Sequence, residues 1–327
     1  MHLNIYGGLE NKLELDHFLN FISNYDIILL SECWISEKSK IFLKGYDCFK
    51  KIRTMKKRSK RPSGGLVCFV KSNLSRGFSE INFDFEDGLC LRLDAKYFGW
   101  KNDIFIIYVY FKGENSPRND MNDGLSPFDI LLDLISRVSS DAPGILLAGD
   151  FNAHCGNTNV NEFVFIDESP SDQSVFSYYD FDDIVDHDIF TLNELNKFDI
   201  AVARKSKHKK VNAYGNKLKD LCQTCGLVFL NGRYKEDEGN FTFFNHIGQA
   251  INDYIICNKN SLQYVSSFKV FDQNIWSDHC VLSCEIKCNV SENNSQRQNT
   301  QTPILSSKWN GSRTKKKHIN LILIVIF

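Results

Sequence analysis

Short apolar runs recur along most of the chain, and each has the length of a β-strand. Most of them end in Gly, Asn, Asp or Ser, and stretches with helical spacing of apolar residues lie between some of them. The predicted strands are residues 27–30, 65–70, 89–93, 104–110, 144–148, 227–230, 241–244, 251–257 and 280–286, and the predicted helices are 13–23, 127–140 and 216–225. This alternation predicts an α/β (α+β) four-layer sandwich, in which two mixed β-sheets pack face to face and helices flank them.

The chain of 327 residues is long enough for one large domain with a tail. Apolar runs and polar turns alternate evenly over residues 1–288, whereas 291–301 is a polar tract that cannot bury a core. We therefore expect a domain over 1–288 and a disordered tail over 289–327. The acidic segment at about 156–210 is interpreted as a surface insertion, and a carboxylate-rich metal cluster is the alternative.

The charge of the chain is close to balanced but unevenly distributed. A net charge of −1 argues against a protein that coats nucleic acid by charge alone. A tight cationic run nevertheless extends from Arg53 to Arg61. Such a run would line a DNA backbone or form a solvated surface loop, and the sequence leaves both interpretations open.

Cysteine usage and the chain ends bear on location. The eleven cysteines show no framework of close pairs, and many lie inside apolar runs, which favours a reducing compartment. No charged segment followed by an apolar core begins the chain, and the apolar run at 319–327 is too short to span a bilayer. We expect an intracellular protein, located in the nucleus, that does not contact a membrane.

Polar side chains next to the strand-like runs supply the groups that metal-assisted phosphodiester hydrolysis requires. They are Asn4, Glu32, Tyr110, Asp150, Asn152, Asp253, Asp278 and His279. The reaction needs a hard cation, an activated water and charge stabilisation on the phosphoryl oxygens. Magnesium prefers oxygen ligands, so Mg²⁺ is the expected cofactor, with Mn²⁺ as an alternative.

The spacing of these residues supports specific roles. Asp150 and Asn152 follow one apolar run at i and i+2, which places both on one side of an extended backbone. Their carboxylate would activate water while the amide donates to a phosphate oxygen. Glu32 ends another run, and an imidazole held by a carboxylate, as at His279, would stay protonated and donate to the phosphoryl group.

Other motifs support chemistry more weakly. Cys222 and Cys225 have the spacing of a zinc or redox pair, but no second spaced pair accompanies them, so a packed helix face is the simpler interpretation. His154 and His246 lie near the motifs and remain weak candidates, whereas His208 is expected to be solvated because it lies in a basic run.

Taken together, the motifs resemble the endonuclease/exonuclease/phosphatase superfamily, which includes exonuclease III-type abasic endonucleases and pancreatic deoxyribonuclease. The resemblance covers about residues 2–288 and implies the role of each matched residue. It assigns the metal to Glu32, Asn4 and Asp278, the scissile phosphate to Tyr110 and Asn152, water activation to Asp150, and the orientation of the catalytic His279 to Asp253. Tyr108 is an alternative to Tyr110.

A narrower resemblance lies in the second half of the chain. The segments 204–207, 214–218, 230–233 and 239–243 are similar to endonuclease domains of non-LTR retrotransposons. Those domains nick chromosomal DNA, which implies DNA as a partner, together with a reverse transcriptase domain that is encoded elsewhere or lost.

The chain also departs from the family pattern. The first strand is very short, Ala250 replaces a small hydroxyl residue, and Val281 replaces a proline.

Three alternative functions remain beside a nicking endonuclease. They are a phosphomonoesterase or phospholipid hydrolase of the same fold, an abasic-site endonuclease, and an inactive remnant that only binds nucleic acid.

Overall fold

The structure, a computed structural model, describes residues 2–55, 61–114, 116, 125–156, 195, 197–198, 200–201 and 203–290, and the backbone of 164–165, 190–191 and 319–321. The described strands are β1 (His2–Asn4), β2 (Ile27–Ser31), β3 (Tyr46–Lys51), β4 (Leu66–Lys71), β5 (Phe78–Ile81), β6 (Gly88–Leu93), β7 (Ile104–Tyr110), β8 (Gly144–Asp150), β9 (Val164–Phe165), β10 (Phe190–Thr191), β11 (Leu227–Phe229), β12 (Phe243–Phe244), β13 (Gln249–Ala250), β14 (Asp253–Asn258), β15 (Val265–Val270), β16 (Leu282–Cys288) and β17 (Ile319–Leu321). The described helices are α1 (Leu9–Lys12), α2 (Asp16–Ile22), α3 (Ala95–Phe98), α4 (Pro127–Val138), α5 (Ala213–Thr224) and α6 (Lys259–Leu262).

Two large mixed sheets form the centre of the molecule. Sheet A has the strand order β15-β16-β1-β2-β4-β3, with β17 beside β16, and sheet B has the order β11-β14-β8-β7-β6-β5. Within them β1 pairs with β2, and β7 with β8, in parallel, while the other pairings are antiparallel. The predicted pair of mixed sheets is therefore confirmed.

Alternation along the strands divides the apolar residues into layers. Leu29 of β2 and Ile106 of β7 belong to the core between the two sheets. Their neighbours point the other way: Leu30 joins the cluster that contains Phe18 of α2, and Ile107 joins the cluster that contains residues of α4 and α5. Helices thus cover the outer face of each sheet, which completes the predicted four-layer sandwich.

The two long helices on sheet B have clear start signals. In α4, Ser126 accepts a hydrogen bond from the Asp129 N–H and the Asp129 carboxylate accepts one from the Ser126 N–H, with Pro127 at the first turn. Asn212 caps α5 by accepting from the Gly215 N–H at 2.8 Å. A Cβ on Gly215 would lie 1.9 Å from the His154 carbonyl oxygen, so the glycine lets α5 pack directly on the segment that follows β8.

Strand register brings the polar strand ends to one edge of the sandwich. Tyr110 pairs with Asp150 across β7 and β8, and Asp150 pairs with Asp253 across β8 and β14. On sheet A, Asn4 pairs with Ser31, which directly precedes Glu32. These pairings place the candidate residues along two facing strand ends.

Several predictions fall on regions that the structure describes only in part. Residues 56–60, most of 156–210 and most of 289–327 lie outside the described residues, apart from the backbone of 319–321, which pairs with β16. Residues 203–210 are described and contain buried side chains, including Arg204 and His208. The expectation that His208 is solvated is therefore wrong. Its Nδ1 accepts a hydrogen bond from the Ile251 N–H at 3.2 Å.

The apolar run at 319–327, on which the membrane prediction depends, lies outside the described residues apart from the backbone of 319–321. Within the described part of the chain, no helix combines the length and the apolar character needed to cross a membrane. All eleven cysteines are described, and none forms a disulfide.

Candidate active site

Asn4, the last residue of β1, lies at the centre of the site and is buried. Its Nδ2 donates to Glu32 Oε1 at 3.1 Å and to Asp150 Oδ2 at 3.2 Å, and lies 3.4 Å from His279 Nε2. Its Oδ1 accepts from the Tyr6 N–H at 3.1 Å, which fixes the orientation of the amide. The side chain of Asn4 therefore connects Glu32 of sheet A to Asp150 of sheet B and lies beside His279, which precedes β16 of sheet A.

Asp253 and His279 form a buried pair at the start of β14 and shortly before β16. His279 Nδ1 lies 2.9 Å from Asp253 Oδ2 and 3.2 Å from Asp253 Oδ1. The hydroxyl of Thr242 donates to Asp253 Oδ2 at 2.6 Å and accepts from the Asn252 and Asp253 N–H groups at 3.0 and 3.2 Å. This chain of contacts holds the imidazole with its Nε2 toward the centre of the site.

Asp150 ends β8 and is fully enclosed, with 2% of its surface exposed. Its Oδ2 lies 3.9 Å from His279 Nε2, and its Oδ1 accepts from the Asn152 N–H at 3.0 Å. The Asn152 side chain donates from Nδ2 to the Phe111 carbonyl at 2.7 Å. That bond uses one of the two amide protons of Asn152 and leaves the other for a ligand.

Tyr110, at the end of β7, reaches the site and hydrogen-bonds with the Glu32 carboxylate. Tyr108 is buried in the core between the two sheets, so the alternative assignment to Tyr108 is not supported by the geometry. The guanidinium of Arg53 lies 5.2 Å from the centroid of the Tyr110 ring. The phenol is thus packed on a cation and directed to the predicted metal ligand.

Arg53 does not lie on the surface as a free phosphate contact. It is 5% exposed, pairs with the Asp87 carboxylate and donates from Nε to Asp87 Oδ1 at 2.6 Å. Lys112 Nζ lies 2.7 Å from Asp87 Oδ2. Arg53 is therefore neither a contact for the DNA backbone nor part of a solvated surface loop, and both interpretations of the cationic run are wrong for this residue. Instead it packs against the ring of Tyr110.

Asp278 lies at the rim and contacts a different set of groups. Its Oδ1 lies 3.3 Å from the Ser277 hydroxyl oxygen, which also contacts the Asn4 carbonyl, so the single hydroxyl proton is shared between these two acceptors. Lys12 donates to the Ile5 and Trp276 carbonyls close by. The structure thus brings Asp278 next to the Asn4 backbone, on the side where Lys12 lies, rather than into the hydrogen bonds around Glu32.

Backbone conformation at the site is unusual. Among the described residues, five non-glycine positions have positive φ, and four of them are Tyr6, Glu32, Trp34 and Asn152. Bulky residues rarely adopt this conformation because it costs free energy, and such positions concentrate at functional sites. The sharp turns after β1, β2 and β8 present the side chains of these strand ends to a common point.

Burial and mutual charge set the protonation of the site. Burial, followed by the charge of Asp253, raises the pKa of Asp150 to about 8. Burial of His279 opposes its charging, but the charge and hydrogen bond of Asp253, followed by Asp150 and Asp278, raise its pKa to about 9. Burial, then the charges of Glu32 and Asp150, raise the pKa of Tyr110, so this phenol stays neutral and can donate.

The donor set fits a hard divalent cation. Glu32 offers a half-buried carboxylate, and Asp150 and Asp253 add two enclosed carboxylates against one imidazole, so the site carries excess negative charge. Ligand atoms of Asp150, Asp253 and His279 lie within 4.8 Å of one another. An ion bound among these three would have to break the bond between His279 and Asp253, which favours Glu32 as the ligand. Asn4 presents its Nδ2 rather than its Oδ1 to Glu32, an orientation that suits positioning of the carboxylate.

Sequence reasoning missed several supporting residues. Thr242 supplies the hydroxyl that Ala250 cannot, because the β12–β13 hairpin places Thr242 against Asp253. A threonine before a short hairpin is common and does not by itself indicate a role. Its closeness to the predicted strand that begins with Asp253 could have marked it as a candidate.

Val281 packs into the apolar cluster on sheet A. Cys222 packs in the α4–α5 layer beside residues such as Leu218, as the simpler interpretation of the Cys222–Cys225 pair expected.

These features define a four-layer α/β enzyme scaffold with an acid, amide and histidine site at one edge. The chain belongs to the endonuclease/exonuclease/phosphatase family, whose sequence profile matches residues 1–279. A comparison with curated proteins finds no match.

Solved structures with the same fold include nucleases. The AP endonuclease LMAP from Leishmania major matches with a TM-score of 0.54 and 13% identity, over 86% of this chain and 85% of that chain. The 3′-5′ exonuclease NExo from Neisseria meningitidis matches with a TM-score of 0.53 and 14% identity, over 87% and 98%. The endonuclease domain of TRAS1, a telomere-specific non-LTR retrotransposon, matches with a TM-score of 0.49 and 13% identity, over 88% and 95%. At such low identity the first two likenesses show the shared fold, a DNase I-like sandwich.

Proposed function

We propose that this protein is a Mg²⁺-dependent DNA endonuclease that nicks its target by phosphodiester hydrolysis, in the manner of retrotransposon endonucleases. One observation carries the proposal: Asn4 contacts Glu32 and Asp150 and lies beside His279, which in turn is paired with Asp253. The family membership supports phosphoester hydrolysis. The retrotransposon-like segments of the second half support DNA as the substrate.

Each side chain has a role in this proposal. Glu32 holds the divalent ion, Mg²⁺ or Mn²⁺, with Asn4 fixing its carboxylate and Asp278 contributing negative charge at the rim. When bound, the ion supplies Lewis acidity and neutralises charge on the phosphoryl oxygens. Asp150 accepts a proton from the water that attacks phosphorus, since an ionised carboxylate with a raised pKa is a competent base. The P–O3′ bond breaks, and the leaving oxygen takes a proton from solvent to become the 3′ hydroxyl.

The remaining groups bind the phosphate. Protonated His279, oriented by Asp253, donates to the phosphoryl oxygen on which charge develops. Asn152 and Tyr110 donate neutral hydrogen bonds to the other oxygens, and neither repels the anion. The proposal also includes a nuclear location and a reverse transcriptase partner that would extend the released 3′ hydroxyl.

A plasmid assay tests the proposal. The full chain should nick supercoiled plasmid when Mg²⁺ is added and stop when the metal is chelated. Asp150→Ala and His279→Ala should abolish nicking while the circular dichroism spectrum stays that of the parent. Nicking by both variants at the parent rate would show that the roles are wrongly assigned.

A substrate comparison separates the rival enzymes of the same fold. Plasmid DNA, a duplex with an abasic site, and inositol or lipid phosphates are each incubated with the parent. If the protein hydrolysed only the inositol or lipid phosphates, it would be a phosphatase and the endonuclease proposal would be wrong. Tight Mg²⁺-independent DNA binding without turnover would identify an inactive binding protein.

A further inference from the structure

An exposed aromatic surface lies beside the predicted metal ligand. Tyr6 is 64% exposed, and its ring centroid lies 5.4 Å from that of Trp34 at an interplanar angle of 53°. The guanidinium of Arg61 lies over the Trp34 ring, 4.5 Å from the centroid. We call Tyr6, Trp34 and Arg61 the aromatic platform.

The two rings differ in how firmly they are held. Trp34 packs on the backbone of Gly7, where a Cβ would lie only 2.0 Å from Trp34 Cε3, and Arg61 covers it as well. The backbone N–H of Trp34 donates to the Gly64 carbonyl at 2.8 Å. Trp34 is therefore a fixed support, whereas most of the Tyr6 side chain remains open to solvent.

The platform is tied to the catalytic groups by the backbone. The Tyr6 N–H holds Asn4 Oδ1, and the Gly7 N–H donates to the Glu32 carbonyl at 2.8 Å. Tyr6 follows Asn4 by two residues and Trp34 follows Glu32 by two residues, with φ of 49° and 52°. The turn at Tyr6 places its N–H on Asn4 Oδ1, whereas the exposed ring contributes little to the core and is accessible to a ligand.

The surroundings of Tyr6 define the ligand chemistry. Tyr6 lines a surface depression with Lys12 and with Ile275, which is 88% exposed. Asp278 lines the same depression, and the Lys12 ammonium donates to the Ile5 and Trp276 carbonyls, so Arg61 is the cation of the platform. An open aromatic ring beside an exposed apolar side chain matches a nucleobase, because bases stack on aromatic rings. In a fully paired duplex the base faces are already stacked on each other, so the ring can take only a base that is unpaired.

We propose that Tyr6, supported by Trp34 and Arg61, stacks on an unpaired nucleobase next to the scissile phosphate. The preferred substrate is then DNA that carries a single-stranded or unpaired nucleotide at the cleavage position. This inference rests on the proposed endonuclease function and adds the class of DNA that the site selects.

A fluorescence experiment tests the stacking contact directly. The full chain is titrated onto a duplex with one unpaired 2-aminopurine nucleotide and onto the fully paired duplex, with Ca²⁺ in place of Mg²⁺. Stacking on Tyr6 should quench the unpaired base and leave the paired base unchanged. Tyr6→Asn keeps a residue that tolerates positive φ and should lose the quenching and bind the unpaired duplex about tenfold more weakly.

Two variants control for fold and for general loss of aromatic surface. Tyr6→Phe keeps the ring and should behave as the parent. Phe42→Asn removes another exposed ring, 73% accessible, and should leave both signals unchanged. The inference would be overturned if Tyr6→Asn quenched the unpaired base as strongly as the parent does. It would also be overturned if the parent bound both duplexes equally and quenched neither.

Plasmid nicking in Mg²⁺ is scored separately. Nicking by the parent without quenching of the unpaired base would reject the stacking contact and leave the endonuclease proposal intact. Absence of nicking in Mg²⁺ would reject the endonuclease proposal itself, whereas quenching that depends on Tyr6 would still support the base contact.

Discussion

Sheet A and sheet B supply different kinds of groups to the active site. Sheet A contributes Glu32, a half-buried carboxylate on a left-handed turn, with exposed Tyr6 nearby. Sheet B contributes Tyr110, Asp150 and Asp253, and the two aspartates are 0–2% exposed. The first side is accessible to an ion and a nucleic acid, while the second is a closed network of hydrogen bonds.

In the proposed mechanism, this difference separates metal binding, assigned to Glu32, from proton transfer, assigned to Asp150 and His279. Enclosed charges perturb one another strongly, as the raised pKa values of Asp150 and His279 show. A ligand for an exchangeable cation instead needs access to water, which Glu32 keeps. Asn4 contacts both Glu32 and Asp150, and Tyr110 of sheet B hydrogen-bonds with Glu32, so these two side chains couple the two halves.

The largest expected effect comes from the enclosed half. Asp253→Asn should lower the kcat for nicking by about 10³-fold, because an amide supports neither the proper His279 tautomer nor its positive charge. Single-turnover nicking with saturating Mg²⁺ measures the change. Asp237→Asn is the matched control, since Asp237 is a buried carboxylate that accepts from the Gly232 and Gly239 N–H groups at 2.6 and 3.0 Å. Equal loss of kcat in both variants would point to a general folding defect.

The accessible half should respond through metal affinity. Glu32→Gln removes the ligand charge and should raise the half-saturating Mg²⁺ concentration by about 10- to 100-fold. A Mg²⁺ titration of plasmid nicking gives this value. Glu10→Gln, which changes an exposed carboxylate that accepts from Ser39 Oγ and the Lys40 N–H, should leave it unaltered. An unchanged Mg²⁺ requirement in Glu32→Gln would assign the ion to other residues.

A smaller loss is expected at the support of Asp253. Thr242→Val removes the hydroxyl that donates to Asp253 Oδ2 at 2.6 Å and accepts two backbone N–H groups. Unfolding free energy should fall by about 1–3 kcal/mol because buried polar groups lose their partner. Turnover should fall less than in Asp253→Asn, and Thr242→Ser should restore both properties. Failure of the serine variant to restore turnover would show that the methyl group, rather than the hydroxyl, matters.

The last prediction concerns the pH dependence of stability. The folded pKa of Asp150, about 8, lies above its ordinary value of 3.8, so the folded state is favoured below pH 3.8 and loses this advantage as the pH rises from 3.8 to about 8. His279, with a pKa raised from 6.5 to about 9, loses its contribution between those values. Asp150→Asn should therefore gain stability relative to the metal-free parent as the pH rises from about 4 to about 8. Urea unfolding in EDTA measures this difference, and a constant difference across that range would contradict it.

The sequence predicts the architecture well because strand faces and helix spacing are local properties. Strands β7 and β8 are continuous apolar runs, and the polar residues that end them could be recognised before their partners were known. Strands β3 and β5 contain exposed positions, so they lack that signal.

Partner choice could not be predicted in the same way. Arg53 lies in a cationic run, yet it pairs with Asp87, 34 residues away in the chain. His208 lies between two lysines, but its side chain is buried and its Nδ1 accepts a hydrogen bond from the Ile251 N–H. In both cases tertiary register decides the contact, and local composition suggested exposure. Thr242 was missed for the same reason, since its role depends on the hairpin that places it beside Asp253.

The position of Asn4 between the two sheets makes catalysis sensitive to the packing of a remote core. A slight sliding of one layer over the other would lengthen the bonds from Nδ2 to Glu32 and Asp150 before any strand separates. Heating, or creating a cavity by a large-to-small substitution in the core between the two sheets, should therefore inactivate the protein at a lower temperature than its unfolding transition. A loss of turnover would then report loosened packing between the two sheets before unfolding can be detected.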